Sequence, residues 1–321
     1  MVYNDSKFEA IKMKEAFVNI RGVPTHIITW GRWIEDPVDV QEIVLCIPGN
    51  PGLVGFYLEF LEELYKQLEE KIPIWIIGHM GHEEPEKDSN SKVPRLKDNE
   101  KVFNLDGQLK HKTEFIQRFV PANTKMHLIG HSIGAWMVVH LLENPHLRER
   151  VRKCYLLFPT LERMLISSNG WNFSKIGVPL YATLGFLIPL FNRLPKFVQK
   201  YAVQMYFWLS NIPKTFINTA LEYSKAPVME KVVFLANDEM ARVRDLDSKL
   251  IEKHLPLLKL YYGTTDGWVP VKYYNELCAQ FPEIDAELDK ECIDHAFVLR
   301  YSNNMAHIVG KMIEEHSAIL K

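Results

Sequence analysis

Ser132, Asp266 and His295 are the residues of this chain whose types and order could carry acyl transfer. Ser132 stands in Met126-His127-Leu128-Ile129-Gly130-His131-Ser132-Ile133-Gly134, where an apolar run enters Gly-x-Ser-x-Gly. From Ala135 to Leu142 apolar residues recur at helical spacing, so the motif sits between a strand and a helix, the context that exposes a nucleophilic serine. The turn is so tight that a Cβ at Gly130 or Gly134 would clash, and Ser132 must take up strained backbone that pushes its hydroxyl out of the sheet. The helix that follows aims free N–H groups and its positive dipole end at the same point, so the Ile133 amide is expected to bind a developing oxyanion.

Asp266 lies just past the strand-like run Leu255–Gly263, in Thr264-Thr265-Asp266-Gly267-Trp268-Val269-Pro270, and His295 opens the segment His295-Ala296-Phe297. Serine, acid, histidine is the chain order of α/β-hydrolases, whereas other serine hydrolase classes order the same roles differently. His295 would take the Ser132 proton as general base and return it as general acid, while Asp266 fixes the imidazole tautomer. Asp238-Glu239 and Asp294 are rival acids, but none of them follows a strand. The Gly/Pro-rich loop Pro48-Gly49-Asn50-Pro51-Gly52 ends the apolar run Glu42–Ile47. In this fold such a loop supplies the second oxyanion donor; Pro51 has no N–H, which leaves the Asn50 amide. Read alone, the same loop leaves a plain strand-to-helix turn as the lesser alternative, and next to Ser132 the functional reading is favoured.

The elements needed to position these residues alternate along the chain. A hairpin is expected over Phe17–Gly22 and Pro24–Trp30 with its turn near Gly22-Val23-Pro24, then a polar link from Trp33 to Gln41. Short apolar strands are expected at Glu42–Ile47, Pro73–Gly78, Val151–Phe158, Leu255–Gly263 and Ile284–Leu288. Amphipathic helices are expected at Phe56–Leu68, Leu105–Phe119 and Val271–Phe281, with a terminal helix to about Ile319. Such alternation predicts an α/β fold with a mostly parallel, doubly wound sheet. Glu83 to Lys101 is charged and poor in large apolar residues, and reads as a mobile surface loop. His79 and His82, three apart, raise the question of a metal, but no third ligand is near in sequence and the alternative is a loop histidine bonded to backbone. His111, alone on a helix, reads as structural. The proposed chemistry needs no metal or organic cofactor.

From Leu161 to Leu255 the alternation stops. We assign residues 1–160 and 255–321 to the hydrolase core and 161–254 to an inserted, apolar helical cap. Ile176 to Asn192 carries no charge, and Tyr201 to Pro213 is a second uncharged run containing Tyr206-Phe207-Trp208. Pro179 and Pro189 are expected to break the first run into pieces too short to span a bilayer, which takes about 20 residues. The cap then either covers a lipid pocket or dips into a lipid monolayer, with Lys175, Arg193, Lys196 and Lys200 at the polar boundary.

A net charge of -2, with basic and acidic residues interspersed, offers no field for nucleic acid. Cys46, Cys154, Cys278 and Cys292 are scattered without a Cys-x-x-Cys pair, and read as buried thiols of a reducing compartment. Met1 to Phe17 alternates charges and has no apolar core of a secretory signal.

Several of these segments together resemble the lipid droplet-associated hydrolase family: Ile47-Pro48-Gly49-Asn50-Pro51-Gly52 with Phe56-Tyr57, Gly78 to His82, Leu105-Asp106-Gly107-Gln108, Leu128 to Gly134, Leu157 to Met164, Tyr261 to Thr264 with Asp266 and Trp268, and His295-Ala296-Phe297. The resemblance spans nearly the whole chain from about Phe17. It implies an α/β-hydrolase fold, a place on the cytoplasmic face of the endoplasmic reticulum and lipid droplet, a serine esterase activity on neutral lipids such as sterol esters, and a role in lipid storage. The implied partners are a lipid ester substrate and the droplet monolayer or membrane surface, and no protein partner is indicated. Two other readings are a droplet-associated scaffold with an idle triad and an esterase for small acyl groups that needs no lipid surface.

Overall fold

The computed structural model describes residues 13–36, 40–86 and 92–320. Eight strands form one sheet: β1 (Met13–Ile20), β2 (Val23–Trp30), β3 (Glu42–Ile47), β4 (Ile74–Ile77), β5 (Lys125–His131), β6 (Val151–Leu157), β7 (Leu258–Tyr262) and β8 (Asp285–Leu288). Their order is β1-β2-β4-β3-β5-β6-β7-β8, with β2 antiparallel to β1 and β4 and every later pairing parallel. This is the expected α/β-hydrolase sheet.

The central strands read as unbroken apolar runs because both faces are covered. On β3, Ile43, Leu45 and Ile47 point to one core and Val44 and Cys46 to the other. The first core is closed by α2 (Leu105–Phe119), α3 (Ile133–Leu141) and α5 (Val271–Gln280), the second by α1 (Leu58–Gln67) and α6 (Ser302–His316). Between β6 and β7 every described element is helical, from Met164–Ile166 to Leu255–Leu257, and among them is α4 (Ala226–Arg242).

Four details differ from the sequence reading. The hairpin turns at Arg21-Gly22, not at Gly22-Val23-Pro24. Both turn residues have positive φ, 55° and 77°, the geometry that suits a two-residue connection to the twist of its strands. Pro179 does not break its helix: Ser168–Leu184 runs on, with a π turn over Phe173–Gly177 just ahead of the proline. The missing proline N–H is absorbed by that wider turn, and the bend of 56° comes later, before Leu187–Arg193. Even so, no single described helix is long and apolar enough to cross a membrane, although that bent pair together has the length and composition. Cys46 and Cys154 are buried, but Cys278 is half-buried and Cys292 exposed. Of the expected loop 83–101, residues 87–91 lie outside the described residues, while Val93 and Leu96 pack against a small cluster of Val23, Met80 and Phe103.

Candidate active site

The candidate side chains stand past the carboxyl ends of parallel strands, where open α/β sheets present their crevices. Ser132 directly follows β5 with φ 53° and ψ -122°, a strained conformation for a residue with a side chain. Its neighbours permit this only because they are glycines. A Cβ on Gly130 would stand 2.7 Å from Cα of Ala135, and one on Gly134 would run into the Ile47 and Pro48 carbonyls.

Ser132 Oγ lies 2.9 Å from Nε2 of His295, and Nδ1 of His295 lies 2.7 Å from Oδ2 of Asp266. Asp266 is fully buried at its side chain, and its other oxygen accepts the Trp268 and Val269 amides at 2.7 and 3.1 Å. An ionised carboxylate can only accept, so His295 carries its proton on Nδ1 and offers bare Nε2 to the serine hydroxyl. The loop that carries the histidine is anchored by Asp289, which accepts from Tyr261 Oη at 2.6 Å and from the Glu291 and Ile293 amides. The rival acids point elsewhere: Asp294 pairs with Arg300, Asp238 accepts the Leu105 amide, and Glu239 bonds Asn50.

Ile133 opens α3, so its N–H has no intrahelical partner. The Asn50 amide donates to no atom among the described residues. The loop of Asn50 presses on the serine, since a Cβ on Gly49 would lie 3.0 Å from Cβ of Ser132. Among the described residues, the Ile133 and Asn50 N–H groups are thus both without a hydrogen-bond partner, on the two segments that the sequence singled out.

Sequence reasoning missed a second polar line behind the serine. Gly49 N donates to Tyr57 Oη at 2.7 Å, Tyr57 Oη lies 2.6 Å from Nδ1 of His131, and Nε2 of His131 meets the His295 carbonyl at 2.9 Å. The carbonyl fixes the His131 proton on Nε2, so Nδ1 accepts from the tyrosine. Burial, and the nearby His295 ring, push the His131 pKa down to about 3, so this histidine stays neutral. The line therefore joins the Asn50 loop, the elbow and the backbone of His295. Its only mark in the sequence is Tyr57 itself, a polar-tipped residue in an otherwise apolar helix start.

A cavity of about 310 Å³ opens over Ser132 and His295, walled mainly by apolar side chains such as Phe56, Met164, Phe173 and Leu299. One wall is α4, which brings Glu239 into it. Asn50 Nδ2 donates to Glu239 Oε1 at 3.0 Å and to the Val232 carbonyl at 3.1 Å. Burial, reinforced by Asp238 and opposed by the Asn50 bond, raises the Glu239 pKa to about 8.

The other histidines singled out in sequence are packed behind this loop. His82 Nδ1 accepts the Gly52 amide at 2.9 Å, and burial lowers its pKa to about 3. His111 meets Thr25 Oγ1 at 2.8 Å, and its neighbour Lys112 donates to the Gly78 carbonyl at 2.6 Å. No three potential metal ligands cluster among the described residues.

A family model described as lipid-droplet associated hydrolase matches residues 40–298. A lipid droplet-associated hydrolase of Drosophila melanogaster is 55% identical, covering 96% of this chain and 100% of the relative. Proteins of that name from Mus musculus and Homo sapiens are 35% and 30% identical; the matches cover 95% and 96% of this chain, and 96% and 97% of those relatives. Among solved structures, a serine hydrolase from Cycloclasticus zankles superposes with a TM-score of 0.60 at 13% identity, covering 94% of this chain and 98% of that one. The thioesterase domain of the curacin biosynthetic pathway gives 0.60 at 14% identity, covering 92% and 99%. Likenesses this remote speak to the fold alone.

Proposed function

The chain belongs to the lipid droplet-associated hydrolase family, and from that premise we propose that it is a serine lipid hydrolase cleaving carboxylic esters of neutral lipids, sterol esters among them, at the droplet and endoplasmic reticulum surface. The observation that carries this reading is the hydrogen-bonded line from Ser132 through His295 to Asp266, set under an apolar cavity. His295 takes the serine proton as Ser132 attacks the ester carbonyl, and Asp266 stabilises the imidazolium that forms. The Ile133 and Asn50 amides hold the oxyanion, His295 returns the proton to the leaving alcohol, and water clears the acyl-enzyme by the same route.

Residues 161–254 act as a cap that also docks on lipid. In support, every exposed large hydrophobic residue among the described ones, Met13 apart, lies between Leu165 and Leu209. No Asp or Glu occurs from Arg163 to Leu221, while Lys175, Arg193, Lys196 and Lys200 do. An apolar face ringed by cations fits a phospholipid monolayer. The same face would serve a scaffold with an idle triad, so the two readings part at the serine.

Labelling with a fluorescent fluorophosphonate tests this. Folded wild type should be labelled, and Ser132→Ala and His295→Ala should not. Absence of label on folded wild type, both in solution and on phospholipid-coated triolein droplets, would leave only the scaffold.

A further inference from the structure

Among the described residues, Glu239 is the only carboxylate in the wall of the cavity above Ser132, and it is 3% exposed. The rest of its helix face there, Val232, Val233, Ala236 and Met240, is apolar. Its two oxygens are used differently. Oε1 accepts from Asn50, whereas Oε2 has no hydrogen-bond partner among the described residues and is not among the sealed polar atoms. With a pKa near 8 the carboxyl holds its proton at neutral pH, and since Oε1 is the acceptor for Asn50 the proton belongs on Oε2. An O–H donor in an apolar wall is costly unless something accepts it. Candidate acceptors are an oxygen of a bound lipid and Asn50 Oδ1, which is buried and has no partner among the described residues. The second would make Glu239 a strut of the Asn50 loop, and its loss would then slow all esters alike. Its place in the cavity wall favours the first.

Resting on the hydrolase reading, we propose that Glu239 recognises a second oxygen on the lipid. The cavity then favours esters that carry a hydroxyl or a further carbonyl a few bonds from the scissile group, the chemistry of acylglycerols, over esters whose alcohol is hydrocarbon alone, as in sterol esters.

The test compares monooctanoylglycerol with propyl octanoate, which share the acyl chain and differ in the hydroxyls. Wild type should prefer the glycerol ester in kcat/KM by about five- to tenfold, the effect of one neutral hydrogen bond. Glu239→Gln, which keeps a donor, should retain that ratio, and Glu239→Leu should bring it close to one, whatever rate both esters lose through Asn50. Glu239→Met serves if the leucine variant does not fold. A wild-type ratio near one, or a ratio unchanged in the apolar variants, overturns the proposal. Binding is read separately by calorimetry on Ser132→Ala protein, with 1-O-octylglycerol against octyl propyl ether. A preference for the glycerol ether that is lost in the Ser132→Ala, Glu239→Leu double variant supports Glu239 even if no ester is cleaved, in which case it is the hydrolase reading that falls. Equal ether affinities overturn the Glu239 proposal and leave the hydrolase reading untouched.

Discussion

The Tyr57 hydroxyl stands 2.6 Å from Nδ1 of His131, and so ties the approach to α1 to the residue before the nucleophile. Because the same hydroxyl accepts the Gly49 amide, the loop that carries Asn50 and the elbow that carries Ser132 are set against one another by a single oxygen. The proposed mechanism needs those two segments at a fixed separation, since in it the oxyanion is met from both sides.

Tyr57→Phe keeps the ring and removes that oxygen. Gly49 N–H and His131 Nδ1 are then buried without partners, at about 1–3 kcal/mol each. We expect a lower urea midpoint, and a kcat reduced about tenfold with KM almost unchanged, because the ground-state contacts with lipid are untouched. A variant that loses stability but keeps kcat would separate this line from the chemistry.

Glu42 ties down the carboxyl end of the chain. Its oxygens accept from Ser317 Oγ at 2.6 Å, the Ala318 amide at 3.0 Å and Arg152 Nε at 3.2 Å. Burial by itself would raise its pKa, but the bonds with His127, Ser317 and Ala318 outweigh this and hold it at about 2, below its ordinary 4.5. Stability from this group is therefore complete above about 4.5 and is lost as pH falls through 2. Glu42→Gln should unfold earlier in urea than wild type at pH 7, and the gap should narrow between pH 4.5 and pH 2.

Glu239 has the opposite sign. Its folded pKa near 8 stands above the ordinary 4.5, so its favourable contribution is complete below 4.5 and is lost as pH rises through 8. Glu239→Gln has no such proton to lose. Urea midpoints at pH 5, 7 and 9 should show the variant gaining steadily on wild type up to about pH 8 and level beyond it. A constant difference across that range would mean the carboxyl is already ionised.

Phe197 and Trp208 are 75% and 77% exposed, so charges placed there should leave the fold intact. If this face docks on lipid, each aspartate forfeits about 1.5–3 kcal/mol of apolar burial. Phe197→Asp with Trp208→Asp should lower flotation with phospholipid-coated triolein droplets more than tenfold, while fluorophosphonate labelling in solution is unchanged. Undiminished flotation would move the docking face elsewhere.

Much of this molecule could be read from local pattern. The elbow was legible because Gly130, Ser132 and Gly134 satisfy a steric demand that few other contexts impose, Asp266 because it follows a strand, and His295 because it completes the serine, acid, histidine chain order. What escaped was set by partners far away in sequence. Tyr57 and His131 are 74 residues apart, and nothing near either announces the other. Glu239 looked like a rival acid for His295 until α4 set it beside Asn50 instead. Pro179 was read as a breaker, yet a π turn ahead of it lets the helix pass, and Arg21 was overlooked as a turn residue because positive φ is rare outside glycine.

β6 and β7 lie side by side although roughly 100 residues separate Leu157 from Leu258. Closing so long a loop carries an entropic penalty that grows only with the logarithm of its length, about 0.6 kcal/mol for each doubling. Loop length by itself thus costs the β6–β7 pairing little; what the insert gives the core comes from a few positions such as Leu235, Met240, Leu250 and Ile251, which pack beneath the sheet. With those positions kept, the exposed surface of the insert can change while Ser132, Asp266 and His295 hold their places past the ends of β5, β7 and β8.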